Sequence, residues 1–123
     1  MLGDTITITL GGSGGTARVC SKINQDAYSA EYLNRNATDE VRVKVRHSKE
    51  NAKLGELYPV ERHNVLITQI VFATPTTDEK FREISYTIRN RANDTIALVT
   101  DLGESANFYL GSSILDKLFV WEV

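Results

Sequence analysis

One cysteine, two prolines, one tryptophan and no long apolar run mark what this 123-residue sequence has little of. A lone thiol, Cys20, closes no intrachain disulfide, and no set of cysteines and histidines accompanies it at zinc-ligand spacing. No apolar stretch approaches the roughly 18 to 20 residues that a membrane span needs. Met1 to Leu10 carry neither a basic n-region nor an apolar h-region, so the expectation is a reducing, cytoplasmic setting with no membrane partner. Charge of one sign is lacking too. Fourteen basic residues against 16 acidic ones give bulk charge no part in attracting a polyanion. At 41% hydrophobic and 24% charged, the composition is that of a globular domain and excludes a disordered tail.

Short alternating segments fill the first three quarters. Thr5-Ile6-Thr7-Ile8-Thr9-Leu10 alternates polar and apolar, predicting a strand, and Gly11 to Gly15 then breaks it before Thr16 to Ser21 returns as a hairpin partner. Ala27 to Leu33 gives a weaker strand. From Glu40 to Lys49 the alternation is clearest, with Val41, Val43 and Val45 on one side and Arg42, Lys44 and Arg46 on the other. Tyr58 to Ala73 is β-rich, Thr74-Pro75-Thr76-Thr77-Asp78 is a loop, and Glu79 to Arg91 alternates again through Ile84, Tyr86 and Ile88.

After Arg91 the period changes. Asn93 or Asp94 is placed to cap a helix through Ile96, Val99, Leu102, Ala106 and Tyr109. Gly111 would stop it, Ser112 or Ser113 would cap again, and Ile114 to Phe119 would form a short final helix. Gly103 in mid-helix costs about 1 kcal/mol relative to alanine, which argues against continuity there. Strands first and helices last predict an α+β fold: a six- to seven-stranded antiparallel sheet with an N-terminal hairpin, followed by two C-terminal helices. One domain is expected over residues 1–123, with the hairpin over 1–24, the main sheet over 27–91 and the helices over 93–119. A main helix of this length would cover only two or three strands, so the apolar sheet face calls for a second copy of the chain. A homodimer follows from that shortage.

Few residues have the company that catalysis needs. The glycine cluster is followed by a strand and by no Gly-Lys-Ser/Thr, so it is a hairpin tip and no phosphate loop. His47 and His63 share the parity of the core-facing valines, which predicts semi-buried, satisfied histidines. Cys20 has no neighbour to lower its pKa and is expected in the core. Serines lack a Gly-x-Ser-x-Gly elbow, no carboxylate pair stands out, and the sequence has no constellation for an enzyme or a catalytic cofactor. Asp78-Glu79 would hold a structural divalent cation only where several copies converge at subunit interfaces.

The basic strand is what a merely solvated sheet face explains poorly. From Asp94 onward the chain carries a net of four negative charges, leaving the rest at plus two. Polar positions of three strands agree: Arg42, Lys44, Arg46 and Ser48, then Arg62, Asn64 and Thr68, then Ser85, Thr87, Arg89 and Arg91. As neighbours they would set cations for phosphates among small groups able to reach base edges or 2′-hydroxyls. Leu66, Ile70 and Phe72 share that parity and Glu83 intrudes. A β-bulge would move residues beyond it to the other face.

Taken together, a Gly-rich hairpin, a basic alternating strand, a long strand pair and two terminal helices resemble the coat proteins of single-stranded RNA bacteriophages, the leviviruses. Leu2 to Thr16, Lys44-Val-Arg-His47, Glu61-Arg-His-Asn-Val65 and Asp101-Leu-Gly-Glu104 are most similar to the branch represented by the Caulobacter RNA phage. The resemblance implies interlocked dimers whose sheets line the interior of a T=3-type icosahedral shell around single-stranded genomic RNA. It implies a virion protein assembled in the bacterial host cytoplasm. Thr74, Pro75, Thr76, Thr77 and Asp78 match the loop that adapts to fivefold and sixfold axes. In better-known branches a coat dimer also binds an RNA hairpin at the replicase start site and represses translation. Lys44, Arg46, Asn64, Thr68, Ser85 and Thr87 occupy places comparable to those contacts. This chain departs in its shorter loop, and in having Arg42 and Lys44 where those branches use small hydroxylic residues. The residues thus predict an RNA interface of Arg42, Lys44, Arg46, Arg62, Asn64, Thr68, Ser85, Thr87 and Arg89. A stand-alone dimeric RNA-binding regulator is the alternative function.

Overall fold

Alternation of β-branched and polar residues drives the chain into six consecutive antiparallel strands in the computed structural model, which describes residues 2–122. Met1 and Val123, the ends of the expected domain, lie outside the described residues. The strands are β1 (Thr5–Leu10), β2 (Thr16–Gln25), β3 (Ser29–Arg35), β4 (Asp39–Lys49), β5 (Val60–Val71) and β6 (Lys80–Arg91). They lie side by side in chain order, so every connection is a hairpin and β1 and β6 are the edges. At the first turn the close return of the chain demands glycine: a Cβ on Gly15 would sit 1.9 Å from the Leu10 carbonyl oxygen. The opening hairpin remains hydrogen-bonded to β3 and is part of one continuous sheet.

The register explains the two faces. β4 and β5 pair without interruption from Asp39↔Val71 to Lys49↔Glu61, and β5 and β6 from Val60↔Arg91 to Val71↔Lys80. No bulge therefore rescues Leu66 and Ile70, which stay on the polar face opposite Lys44 and Glu40. The register shift of this sheet lies in β2, between Lys22 and Asn24, where Ile23 is the extra residue.

On the other face Cys20, Tyr32, Val41, Val43 and Val45 are the apolar side chains buried among the described residues, flanked by Ile6, Ile8, Leu10, Ala30, Val65 and Ile67. Neighbouring strands are about 4.8 Å apart, so β2 and β4 would stand nearly 10 Å apart in a flat sheet. The short Cys20 side chain nevertheless brings Sγ within 3.8 Å of the Val41 carbonyl oxygen. The sheet is curled, and curling buries this face without help from the helices. Tyr32 closes the curl by donating its hydroxyl to the Gly3 carbonyl at 2.9 Å.

A polar network crosses the same face. Arg18 of β2 donates Nη1 to both carboxylate oxygens of Asp39 in β4, at 2.8 and 2.9 Å, and Nε to Asn34 of β3 at 2.8 Å. Gln69 of β5 donates to Asp39 at 2.9 Å and accepts from Arg82 of β6 at 3.0 Å. Five strands are joined by this chain of contacts. Arg18 and Asp39 are both buried, and Arg18 Nη2 has no partner among the described residues.

The helices are α1 (Ile96–Tyr109) and α2 (Ser112–Phe119). Two boundary expectations are corrected. The residue capping α1 is Thr95, without a side-chain cap bond, because Asp94 spends its carboxylate on the Thr95 amide at 2.7 Å. Gly111 caps the start of α2, so Ser112 and Ser113 lie inside it. Gly103 does not interrupt α1; a Cβ there would stand 3.2 Å from the Tyr86 hydroxyl, which donates to the Gly103 carbonyl at 3.2 Å. Close approach to β6 is what the glycine provides.

Half-buried Val99, Gly103 and Ala106 form the stripe that meets Tyr86 and Ile88. α1 therefore covers the margin of β6 and not the two or three strands expected. No residue of either helix is buried, and Leu102 and Phe108 are 73% and 93% exposed.

Removing one member of the buried ion pair strands the other, at a cost of about 3 to 5 kcal/mol. Asp39→Ala should show that loss in urea unfolding at pH 7. Asp39 is held below the ordinary carboxylate range chiefly by the Gln69 hydrogen bond, opposed by burial and reinforced by Arg18. A depressed pKa stabilises the fold above the unfolded value, so the deficit of Asp39→Ala should shrink as pH falls below about 4.

Candidate nucleic-acid interface

Alternation puts Arg42, Lys44 and Arg46 on the face of β4 opposite the buried valines, and register carries that face across the sheet. Arg42 stands opposite Thr68, Lys44 opposite Leu66, Arg46 opposite Asn64 and Ser48 opposite Arg62. On β6 the same rows continue as Glu83, Ser85, Thr87 and Arg89. All nine residues singled out in the sequence share this surface.

Their charges are unequally available. Val41 to Lys49 has no acid in sequence, but Glu31 and Glu40 flank it in space. Arg42 is bound to Glu31 by a short ion pair and lies 3.7 Å from Glu40, which Arg35 also holds at 2.6 Å. Arg89 is clasped by Glu50 at 2.8 and 3.1 Å. That pairing holds the Glu50 carboxyl below its usual range and pushes the Arg89 guanidinium up. Beside it Arg91 does the same to Glu56, whose pKa falls to about 2. Lys44, Arg46 and Arg62 have no carboxylate within 4 Å among the described residues. Three free cations thus stand together toward one end of the face. Arg46 and Arg62 also line a cleft of about 470 Å³ with Asp26, Ser29, Ser48 and Asn64.

Asn64 is buried, and its amide nitrogen donates to Ser85 Oγ and Thr87 Oγ1, both at 2.9 Å, and to the Tyr86 carbonyl at 3.2 Å. A carbonyl only accepts, so the last contact fixes the amide orientation. Three of the small polar groups expected to face a ligand are therefore tied to one another. Thr68 is half-buried between Arg42 and Glu83.

Thr74 to Asp78 lies at the far end, where β5 passes to β6. Its backbone closes through Thr74 and Thr77, with N–H to O distances of 2.9 and 3.3 Å, and their hydroxyls meet at 2.6 Å. The nine steps of β5 from Arg62 to Val71 put the loop about 30 Å or more from Arg62 at the usual strand rise. Asp78 and Glu79 are exposed, and no group of three or more His, Cys, Asp or Glu converges to hold a metal among the described residues. No helix among them is long and apolar enough to cross a membrane.

On the opposite face His47 and His63 are register partners with Nδ1 atoms 2.8 Å apart. His63 is half-buried and His47 exposed, so the satisfaction expected from the core comes from each other. The Cys20 thiol is buried, and desolvation raises its pKa. Sequence reasoning missed Glu31 and Glu50 as neutralising partners, since they come from another strand and a loop, and missed Glu40, although it stands two residues before Arg42 on the same face of β4.

The family model described as phage phiCb5, coat protein, matches residues 3–91, which span all six strands. No curated protein matches the chain. Among solved structures the chain is similar to the bacteriophage EMS014 coat protein, with a TM-score of 0.61 at 12% identity over 87% of this chain and 72% of that one. It is also similar to the virus-like particle of Beihai levi-like virus 21, with a TM-score of 0.67 at 10% identity over 96% and 94% of the two chains. At these identities the likeness is one of fold.

Because the Asn64 amide bridges two strands, Asn64→Ala should cost about 1 to 2 kcal/mol in urea unfolding. Asn64→Asp should cost more, since a carboxylate would face the Tyr86 carbonyl with no proton to offer. Equal stability of the three proteins would contradict this account of the β5–β6 contact.

Proposed function

This chain belongs to the phage phiCb5 coat protein family, a structural capsid subunit and no enzyme, and from that premise we propose that it acts as an interlocked homodimer whose copies close into a T=3-type icosahedral shell around single-stranded RNA. The observation that carries the reading is the uncovered apolar surface of α1 and α2 beside the open edge of β6. Leu98, Leu102, Phe108, Leu115 and Phe119 are all exposed. Exposed apolar area of this extent is the mark of an association surface. A second subunit meeting β6 edge to edge would give those side chains a partner and remove the open edge.

Polarity then sets inside and outside. The segment from Asp94 onward carries net negative charge, and the free cations Lys44, Arg46 and Arg62 lie on the sheet face. RNA held on the sheet and helices turned outward is the arrangement with the lower electrostatic cost. Arg42 and Arg89 bring their own counter-charges and act chiefly in holding strands. The committed amide of Asn64 favours packaging through phosphates over an operator-specific repressor role. Thr74 to Asp78, closed on itself and remote from the cations, is the segment we assign to contacts around the symmetry axes. A structural divalent cation there would draw on Asp78 and Glu79 from several subunits. Assembly would take place in the host cytoplasm, with the virion as the final location.

Expression in bacteria followed by negative-stain microscopy should give uniform closed shells containing RNA. Dimers or monomers alone at high concentration would overturn the capsid assignment in favour of a stand-alone RNA-binding regulator. Each phosphate contact lowers log affinity against log salt by roughly 0.7 on single strands. Lys44→Ala with Arg46→Ala should flatten the slope by about 1 to 1.5, alike for unrelated RNAs. Arg42→Ala with Glu31→Gln, which removes an already neutral pair, should leave that slope nearly unchanged. A slope that the Lys44/Arg46 double variant does not alter would place the RNA elsewhere.

A further inference from the structure

The His47–His63 pair lies on the face away from the proposed RNA interface, and neither capsid assembly nor RNA packaging explains it. The His47 backbone amide donates to the Tyr28 carbonyl at 2.8 Å, so its backbone bonds turn toward the β3 side. Toward β5, His47 and His63 are therefore a non-hydrogen-bonded pair, the arrangement that brings facing side chains closest. Their rings meet edge to face, with centroids 5.0 Å apart and an interplanar angle of 66°. The two Nδ1 atoms are 2.8 Å apart.

We propose that His47 and His63 form a two-nitrogen chelate for a borderline divalent transition-metal ion (nickel or copper) that staples β4 to β5. Metal–nitrogen bonds of about 2.0 to 2.1 Å meeting at a right angle put adjacent ligand nitrogens about 2.9 Å apart. The observed separation matches that edge, so chelation needs rotation of the rings and little movement of the strands. In the metal-free pair one Nδ1 carries the hydrogen that the other accepts. Transfer of that hydrogen to Nε2 of the same ring leaves two Nδ1 lone pairs for the metal, with no net loss of a proton.

Glu61 supports the arrangement. Its Oε2 is 3.9 Å from His63 Nε2, beyond hydrogen-bond length as the rings stand, and the ring rotation that chelation requires is what would bring it into reach to orient the ring as carboxylates commonly do behind a metal-bound histidine. Lys49 Nζ lies 3.9 Å from the other Glu61 oxygen. The pair opens on a cleft of about 490 Å³ bordered by Tyr28, Ser48, Lys49 and Glu61, which leaves room for water to complete the coordination. Calcium and magnesium, which take oxygen ligands, do not suit two imidazoles. Cys20 is buried in the core and is no competing ligand.

The test uses the full chain in its assembled form, cleared of metal by chelation and dialysis. Calorimetric titration with nickel chloride should give one ion per chain, and the melting temperature should rise with nickel concentration by mass action and not with calcium chloride. His47→Gln and His63→Gln, at positions that are exposed and half-buried, should each weaken nickel at least tenfold while melting normally in chelator. Glu61→Gln should weaken it about tenfold through loss of the orienting carboxylate. Absence of nickel binding to the unmodified chain would overturn the proposal and leave the pair as a hydrogen bond alone. Undiminished binding in the double histidine variant would equally overturn it, by placing the ion elsewhere.

Discussion

The contact between Arg18 and Asp39 is the constraint on which the curl of the sheet depends. It joins strands that are second neighbours, β2 and β4, and no backbone ladder can do that. With Asn34, Gln69 and Arg82 it extends to five strands, so the curvature is specified by side chains of fixed length and directed hydrogen bonds. Apolar packing alone would tolerate several curvatures. Burying the pair carries a desolvation penalty, which is why the remaining lone pairs of Asp39 are occupied by an amide. The unsatisfied Nη2 of Arg18 is what this geometry leaves over.

Curvature in turn decides what the helices are free to do. A flat sheet would need them as a lid. Because the curled β1–β4 region covers Tyr32, Val41 and Val43 itself, α1 and α2 are not needed as a lid, and α1 meets its own sheet only at β6. Their apolar residues are then surplus to the chain that carries them. The opening hairpin and the terminal helices, separated by most of the sequence, are linked through this one exchange of duties.

Much of this was legible in the sequence, and the parts that were not have a common cause. Alternation located all six strands and the basic face, because a period of two is a local property that burial of one side enforces. Core assignments to Val41, Val43 and Val45 followed from the same parity, and that to Cys20 from the lack of any neighbour that would make its thiol reactive. Availability of charge was only partly legible: Glu40 is two residues from Arg42 in the same strand, but Glu31 is brought beside Arg42 by pairing. The same holds for Arg89 and Glu50, which are 39 positions apart. The helix through Gly103 was expected, but the reason for the glycine was not legible, since helix propensity counts its cost and not the Tyr86 hydroxyl that makes it necessary. Arg18 and Asp39 did leave a signal, as opposite charges each two residues before a core position, on the parity where charge is out of place.

That glycine has a mechanical consequence. α1 touches its own sheet along a narrow stripe and is pinned by one hydrogen bond near its middle. The six residues of this helical rod beyond Gly103 span about 9 Å, so a tilt of ten degrees about that pin would move the end of α1 by about 1.6 Å. Any methyl group added at Gly103 would act as a wedge under that rod. The angle at which the chain reaches toward whatever lies beyond β6 is thus set by the thickness of a single backbone position.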